Sequence, residues 1–171
     1  MVVTLISCRM QKLEVTAVVK NPSQKPSGHA PARKSANWHE QLGISPSQLT
    51  HHKLYRFIED WYGVPYQYGG CKKTGVDCSC FVDILSDQVY GQKLARTADE
   101  MFKQSQLIEL KEAKEGDLFF FRMNGKTITH VGVCVKGIWF VHASTSKGVM
   151  VNNLDEAYYK KYFYCAGRFT T

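Results

Sequence analysis

The 171-residue chain predicts an α+β fold in which helices come first and a mainly antiparallel β-sheet follows. Two observations carry this expectation. Before Gly91 the apolar residues recur at helical spacing, whereas after Asp117 they fall into short alternating or continuous runs separated by turn residues. The apolar share of 44% is ordinary for a globular protein, and the length leaves room for one core.

The elements follow in order. Over 50–62, Leu54, Phe57, Ile58 and Trp61 share one face of an amphipathic helix that Gly63 closes. A glycine-rich approach from Tyr68 to Gly75 stops just before Phe81, Val82, Ile84, Leu85 and Val89, so a second helix starts near Cys78 and ends by Gly91. A short helix begins at Thr97, where Glu100 three residues on completes a capping-box pattern. Strands are expected near 118–122, 128–136, 138–143, 149–152 and 165–170, with a helical turn around 155–161. Lys136-Gly137 joins the second and third of these as a hairpin. Alternation puts His130, Gly132 and Cys134 on one face and turns Val131, Val133 and Val135 to the core. Gly132 is expected to make room for the helix that carries Cys78.

Charge divides the chain. Of its net +7, six basic residues against one acid lie before Trp38, leaving 16 basic and 14 acidic residues after it. Residues 21–35 are rich in Pro, Ser, Lys and Arg with almost nothing to bury, so 9–37 reads as a flexible basic linker and 38–171 as the folded domain. Because the excess charge has no interleaved aromatics, nucleic acid is not an expected partner. Leu5-Ile6-Ser7-Cys8 fits a bacterial lipobox, with Cys8 as the acylated residue. What precedes it is short for a working signal, so 1–8 reads as the remnant of a lipoprotein signal whose recorded start is late. The expected location is then the periplasm or cell envelope, with the membrane reached only through lipid on Cys8.

The chemistry centres on Asp77-Cys78-Ser79, on His130 at the start of one strand and on His142 in the next. A thiol attacks an amide as thiolate and needs an imidazole beside it. With Asp77 as N-cap, Cys78 enters the first helical turn, where unpaired N–H groups and the helix dipole favour a thiolate and can hold an oxyanion. Paired strands bring the imidazoles together, one as base and the other orienting it. Taken alone, Cys78 is equally a small buried side chain. No Cys-x-x-Cys is present and the histidines lie on strands, so no metal or other cofactor is expected. Setting aside Cys8 and Cys78 leaves Cys71, Cys80, Cys134 and Cys165, which allow three complete pairings and no choice among them.

These motifs resemble the NlpC-type cell-wall endopeptidases, papain-like cysteine peptidases acting on bacterial peptidoglycan. The matching segments run from about Leu54 to Phe169. They include Gly63-Val64-Pro65-Tyr66-Gln67-Tyr68-Gly69-Gly70, Asp77-Cys78-Ser79, Ala95-Arg96-Thr97, Gly116-Asp117, His130-Val131-Gly132, His142-Ala143-Ser144 and Ala166-Gly167-Arg168-Phe169. The resemblance implies a papain-like core with Cys78 as nucleophile, His130 as base and later acid, and His142 orienting His130. It gives Tyr66 as the hydroxyl that positions the scissile carbonyl, and Asp77, Ser79 and Thr97 as contacts to a stem-peptide amine. For these three, N-cap, solvent-facing hydroxyl and helix cap are the competing readings, and Arg96 is structural or pocket-lining. The implied substrate is a stem peptide or muropeptide, cut by a monomer between D-glutamate and the diamino acid. The alternatives are a same-fold amidase or acyltransferase, or a catalytically silent wall-binding lipoprotein. One departure stands out: Cys80 replaces the family's usual glycine and reads as a packed small side chain, with a Cys78–Cys80 bridge disfavoured because residues two apart on a helix diverge.

Overall fold

The computed structural model describes residues 38–43 and 51–169. The linker 9–37 and the lipobox at Cys8 lie outside the described residues. Helices α1 (Trp38–Gln41) and α2 (His52–Trp61) precede a small hairpin, β1 (Cys71–Lys72) and β2 (Gly75–Val76). Helices α3 (Cys78–Tyr90) and α4 (Ala98–Gln104) follow. The remainder is β3 (Gln106–Ile108), β4 (Leu118–Phe121), β5 (His130–Lys136), β6 (Trp139–Ser144), β7 (Gly148–Asn153), α5 (Ala157–Tyr162) and β8 (Phe163–Arg168). Strands β3 to β8 form one sheet in the order β3-β8-β4-β5-β6-β7 with every pairing antiparallel, so the predicted α+β architecture is the observed one.

Helix α2 buries Leu54, Phe57, Ile58 and Trp61 as its spacing predicts, and starts two residues later than expected because the His51 ring caps it, accepting from the Leu54 N–H. Phe57 and Trp61 both meet Phe81 of α3, so the two helices share an aromatic seam. Helix α3 is capped by the Asp77 carboxylate, and Gly91 ends it in the left-handed region, φ 69°, with its N–H bonded back to Asp87 and Ser86 carbonyls. Buried Asp83 then receives the Leu94 N–H at 3.0 Å, which turns the chain back so that Arg96 returns to the helix start.

Two apolar clusters lie on opposite faces of the sheet. Val131, Val133, Val135, Val141 and Ala143 belong with α2 and α3 to the larger one, whereas Phe119, Phe121, Cys134, Phe140 and Tyr159 form a smaller aromatic one. The alternation along β5 is therefore as predicted, but the purpose of Gly132 is corrected. A Cβ there would lie 2.7 Å from Phe140 Cδ2 and 3.2 Å from His142 Cβ, so the space serves the histidine face and not the nucleophile helix.

Cys80 is likewise corrected. It is bonded to Cys71 of β1, which ties the hairpin to the first turn of α3, and Cys78 stays unbridged. The loop ahead of the hairpin is held on both sides. Gly63 N–H and Val64 C=O pair with Val149 on the outer edge of β7 at 2.8 and 2.9 Å, and Pro65 and Gln67 bond with Val76 at 3.1 Å.

Candidate active site

Cys78 occupies the first position of α3 because Asp77 ends the extended chain and caps the helix through Cys80 N–H at 2.7 Å. Helix α3 packs on β5 and β6, and the Cys78 sulfur sits against the Val131 amide, one residue from His130. The amides of Cys78 and Ser79 also reach the sulfur. The Cys80 N–H is used by Asp77 and the Phe81 N–H by the Asp77 carbonyl, so the Cys78 and Ser79 amides are the first-turn donors turned to the sulfur. Burial pushes the Cys78 thiol up to about 11, with the Asp77 charge adding to it, despite the neighbouring amides. Removal from water thus opposes the amide dipoles of the helix start and is the larger of the two influences on the thiol.

His130 and His142 meet as the hairpin predicts. His130 Nε2 lies 2.7 Å from His142 Nδ1, and both rings are buried, at 4% and 1% exposure. Burial holds His130 well below the ordinary histidine range, assisted by His142, and lowers His142 to about 4 against the pull of Asn152 and Glu156. Burial thus favours the uncharged form of the thiol and of both imidazoles, and the nitrogen of His130 left outside this bond is Nδ1.

Tyr66 is half-buried at the site loop, where burial, then the Cys78 and Asp77 charges, push its hydroxyl up to about 12 and keep it a donor. Asp77 is saturated. Its Oδ1 accepts from Cys80 N–H, Ser79 Oγ and Arg96 Nη1, while Oδ2 accepts from Arg96 Nη2 at 2.6 Å. Burial would raise its carboxyl, but these hydrogen bonds and the guanidinium bring it below the ordinary range. Thr97 caps α4, accepting from Glu100 N–H and donating to the Glu100 carboxylate. Sequence reasoning left Arg96 undecided and missed Asn152, Tyr159 and Glu156, which surround His142. Alternation along β7 was the available signal: Met150 faces His142 across the strands, and Asn152 points the same way. Among the described residues no cluster of three or more His, Cys, Asp or Glu is placed to hold a metal ion, and no helix is long and apolar enough to cross a membrane.

A helix-borne thiol packed on an antiparallel sheet beside a buried histidine pair defines a papain-like fold. Residues 63–168 match the NlpC/P60 family, and the chain belongs to that family. It is 39% identical over 112 residues to "Probable endopeptidase NlpC" of Escherichia coli (strain K12), covering 65% of this chain and 73% of that protein. It is 40% identical over 102 residues to "Murein DD-endopeptidase MepS/Murein LD-carboxypeptidase" of the same organism, covering 60% of this chain and about half of that protein, 54%. A crystal structure of an NLP/P60 family protein similar to lipoprotein, from Staphylococcus aureus subsp. aureus Mu50, superposes with a TM-score of 0.63 at 28% identity, covering 77% of this chain and 47% of that one.

Proposed function

We propose that the protein is a peptidoglycan hydrolase, a cysteine endopeptidase that cleaves an amide of the stem peptide through a Cys78 acyl-enzyme. The observation that carries this is the His130–His142 contact of 2.7 Å beside a thiol at a helix N-terminus. His130 Nδ1 takes the thiol proton as sulfur attacks the carbonyl carbon, so the ion pair forms only with the attack. The Cys78 amide and the Tyr66 hydroxyl receive the oxyanion. His130 passes its proton to the departing amine, and a water activated by the same nitrogen then opens the thioester, releasing the acid and restoring the thiol. His142 orients His130 and disperses the transient charge.

The bond we assign first is that between D-glutamate, through its γ-carboxyl, and the diamino acid. The printed name of the MepS relative supports a second reading, the cross-link between stems. The engagement of both Asp77 oxygens by Arg96 bears on substrate length: a free stem amine would have to compete with the guanidinium for that carboxylate. We therefore assign Asp77, Ser79 and Thr97 structural roles, and a stem within the wall is accepted as readily as a released fragment. Envelope location and lipid on Cys8 complete the proposal. Incorporation of labelled fatty acid that is lost in Cys8→Ser tests the anchor.

Incubation with defined muropeptides and cross-linked dimers, beside Cys78→Ala, with products identified by mass, tests the activity. Cleavage at the γ-glutamyl bond, absent in the variant, is expected. Cleavage only at the cross-link selects the second reading. Release of intact stem from sugar, or stem transfer, makes the protein an amidase or acyltransferase, and no product from any substrate leaves a wall-binding role.

A further inference from the structure

We infer that Asn152, held by Glu156, is a positioning residue that fixes the tautomer of both site histidines, leaving Nδ1 of His130 as the bare nitrogen. The inference rests on His130 being the base of the proposed reaction, and it deepens that reading.

The hydrogen-bond chain starts at the protein surface and runs inward. Asn152 Nδ2 lies 2.9 Å from both carboxylate oxygens of Glu156, and the same carboxylate accepts the Asn153 N–H at 2.8 Å. A carboxylate only accepts hydrogen bonds, so the amide must turn its NH2 toward Glu156; the flipped amide would set oxygen against oxygen. The carbonyl Oδ1 of Asn152 therefore faces His142 Nε2 at 2.9 Å, and it also receives the Tyr159 hydroxyl at 3.2 Å. Opposite an acceptor, His142 Nε2 must carry the hydrogen. A neutral imidazole has one N–H, so His142 Nδ1 presents a lone pair to His130 Nε2. His130 Nε2 is then the protonated nitrogen, and Nδ1 is left bare.

The Asn152 carbonyl sets this order in a pocket closed to water. Asn152 and His142 are 7% and 1% exposed, and Phe121, Phe140 and Tyr159 enclose the rings. Tyr159 lies 3.1 Å from His142 Nε2, where its oxygen can share the same hydrogen. With the opposite tautomers, Nδ1 of His130 would carry a proton and could not accept one from Cys78. Four hydrogen bonds therefore convert a carboxylate at the start of α5 into the choice of basic nitrogen at the thiol.

Ring 15N spectra of histidine-labelled full-length protein at neutral pH read the tautomers directly, beside kcat and KM on the muropeptide that is cleaved. Both rings are expected in the Nε2–H form. Glu156→Gln frees the Asn152 amide to turn; mixed tautomers are expected, with kcat reduced roughly tenfold and KM unchanged. Asn152→Asp combined with Glu156→Gln exchanges carboxylate and amide, restores an acceptor for His142 and should recover kcat, with the acid limb of the pH profile moved upward by the new charge. Glu156 is exposed, so its variant keeps the fold. An active protein with His130 in the Nδ1–H form, or a Glu156→Gln variant with unaltered spectra and kcat, overturns the inference. An inactive protein with both rings Nε2–H overturns the hydrolase reading and leaves the tautomer assignment standing.

Discussion

The two halves of the site are held by different physics. On the thiol side, Cys78 is fixed by two attachments from outside the large sheet, the Cys71–Cys80 bond and the Asp77–Arg96 ion pair, and by the apolar packing of α3 against the sheet through Phe81, Val82 and Leu85. On the histidine side, sheet register sets the positions and a directional chain of hydrogen bonds among aromatic rings sets the protonation. In the proposed reaction the nucleophile needs only a place, which packing and a covalent tie supply. The proposed base needs a place and a specified proton, and only hydrogen bonds with fixed donor and acceptor carry that second instruction.

The sharpest way to break this contrast is at His130. His130→Gln keeps a polar side chain but removes the base, and kcat/KM should fall by roughly 10³-fold or more with the melting temperature little lowered. Next come paired core substitutions on the two faces. Leu85→Ala, on the thiol side, should cost about 2–5 kcal/mol in urea unfolding while the folded fraction keeps its kcat. Gly132→Ala, on the histidine side, forces a methyl against Phe140 and His142; about 1–3 kcal/mol is expected, together with a loss of kcat that the first variant does not show.

A pH series sharpens the comparison further. Because folding lowers His142 from 6.5 to about 4, the unfolded chain binds a proton in that window that the folded chain does not. Stability should therefore fall as pH drops from about 6.5 toward 4, by on the order of 3 kcal/mol from this residue. His142→Gln should flatten that slope in thermal melts. The smallest effect on the histidine pair is expected from the thiol side: Cys71→Ser with Cys80→Ser opens a short loop and should cost about 2.5 kcal/mol of stability by loop-closure entropy. Its tautomer spectra should match those of the unaltered protein, since the histidine side does not depend on that tie.

Much of this was legible in the sequence because it is periodic or locally determined. The α2 face, the Asp77 cap, the β5 alternation and the pairing of β5 with β6 follow from spacing and turn residues alone. The hairpin β1–β2 and strand β3 escaped because runs of two or three residues, largely exposed, carry no period. The Cys71–Cys80 partnership escaped because spacing gives no geometry. Gly132 was assigned to the wrong neighbour for a related reason: alternation tells which residues share a face, and not which partner needs the space. The weight of burial against the helix dipoles at the thiol was not legible, because a sequence shows the helix start and hides the burial. Asn152 and Glu156 are visible as residues, but their use depends on α5 returning to the end of β7.

One attachment reaches past catalysis. Gly63 and Val64 bond to Val149 along the outside of β7, so the segment leading to Tyr66 occupies part of an edge that would otherwise offer its backbone groups to another chain. Gly148, at φ 75°, leaves room for the Val64 carbonyl to lie there. The loop that carries Tyr66, the hydroxyl proposed to meet substrate, thus also covers an edge open to self-association. Lengthening it to admit a larger substrate would uncover a template for strand addition, and such variants should be lost to aggregation before they are lost to poor turnover.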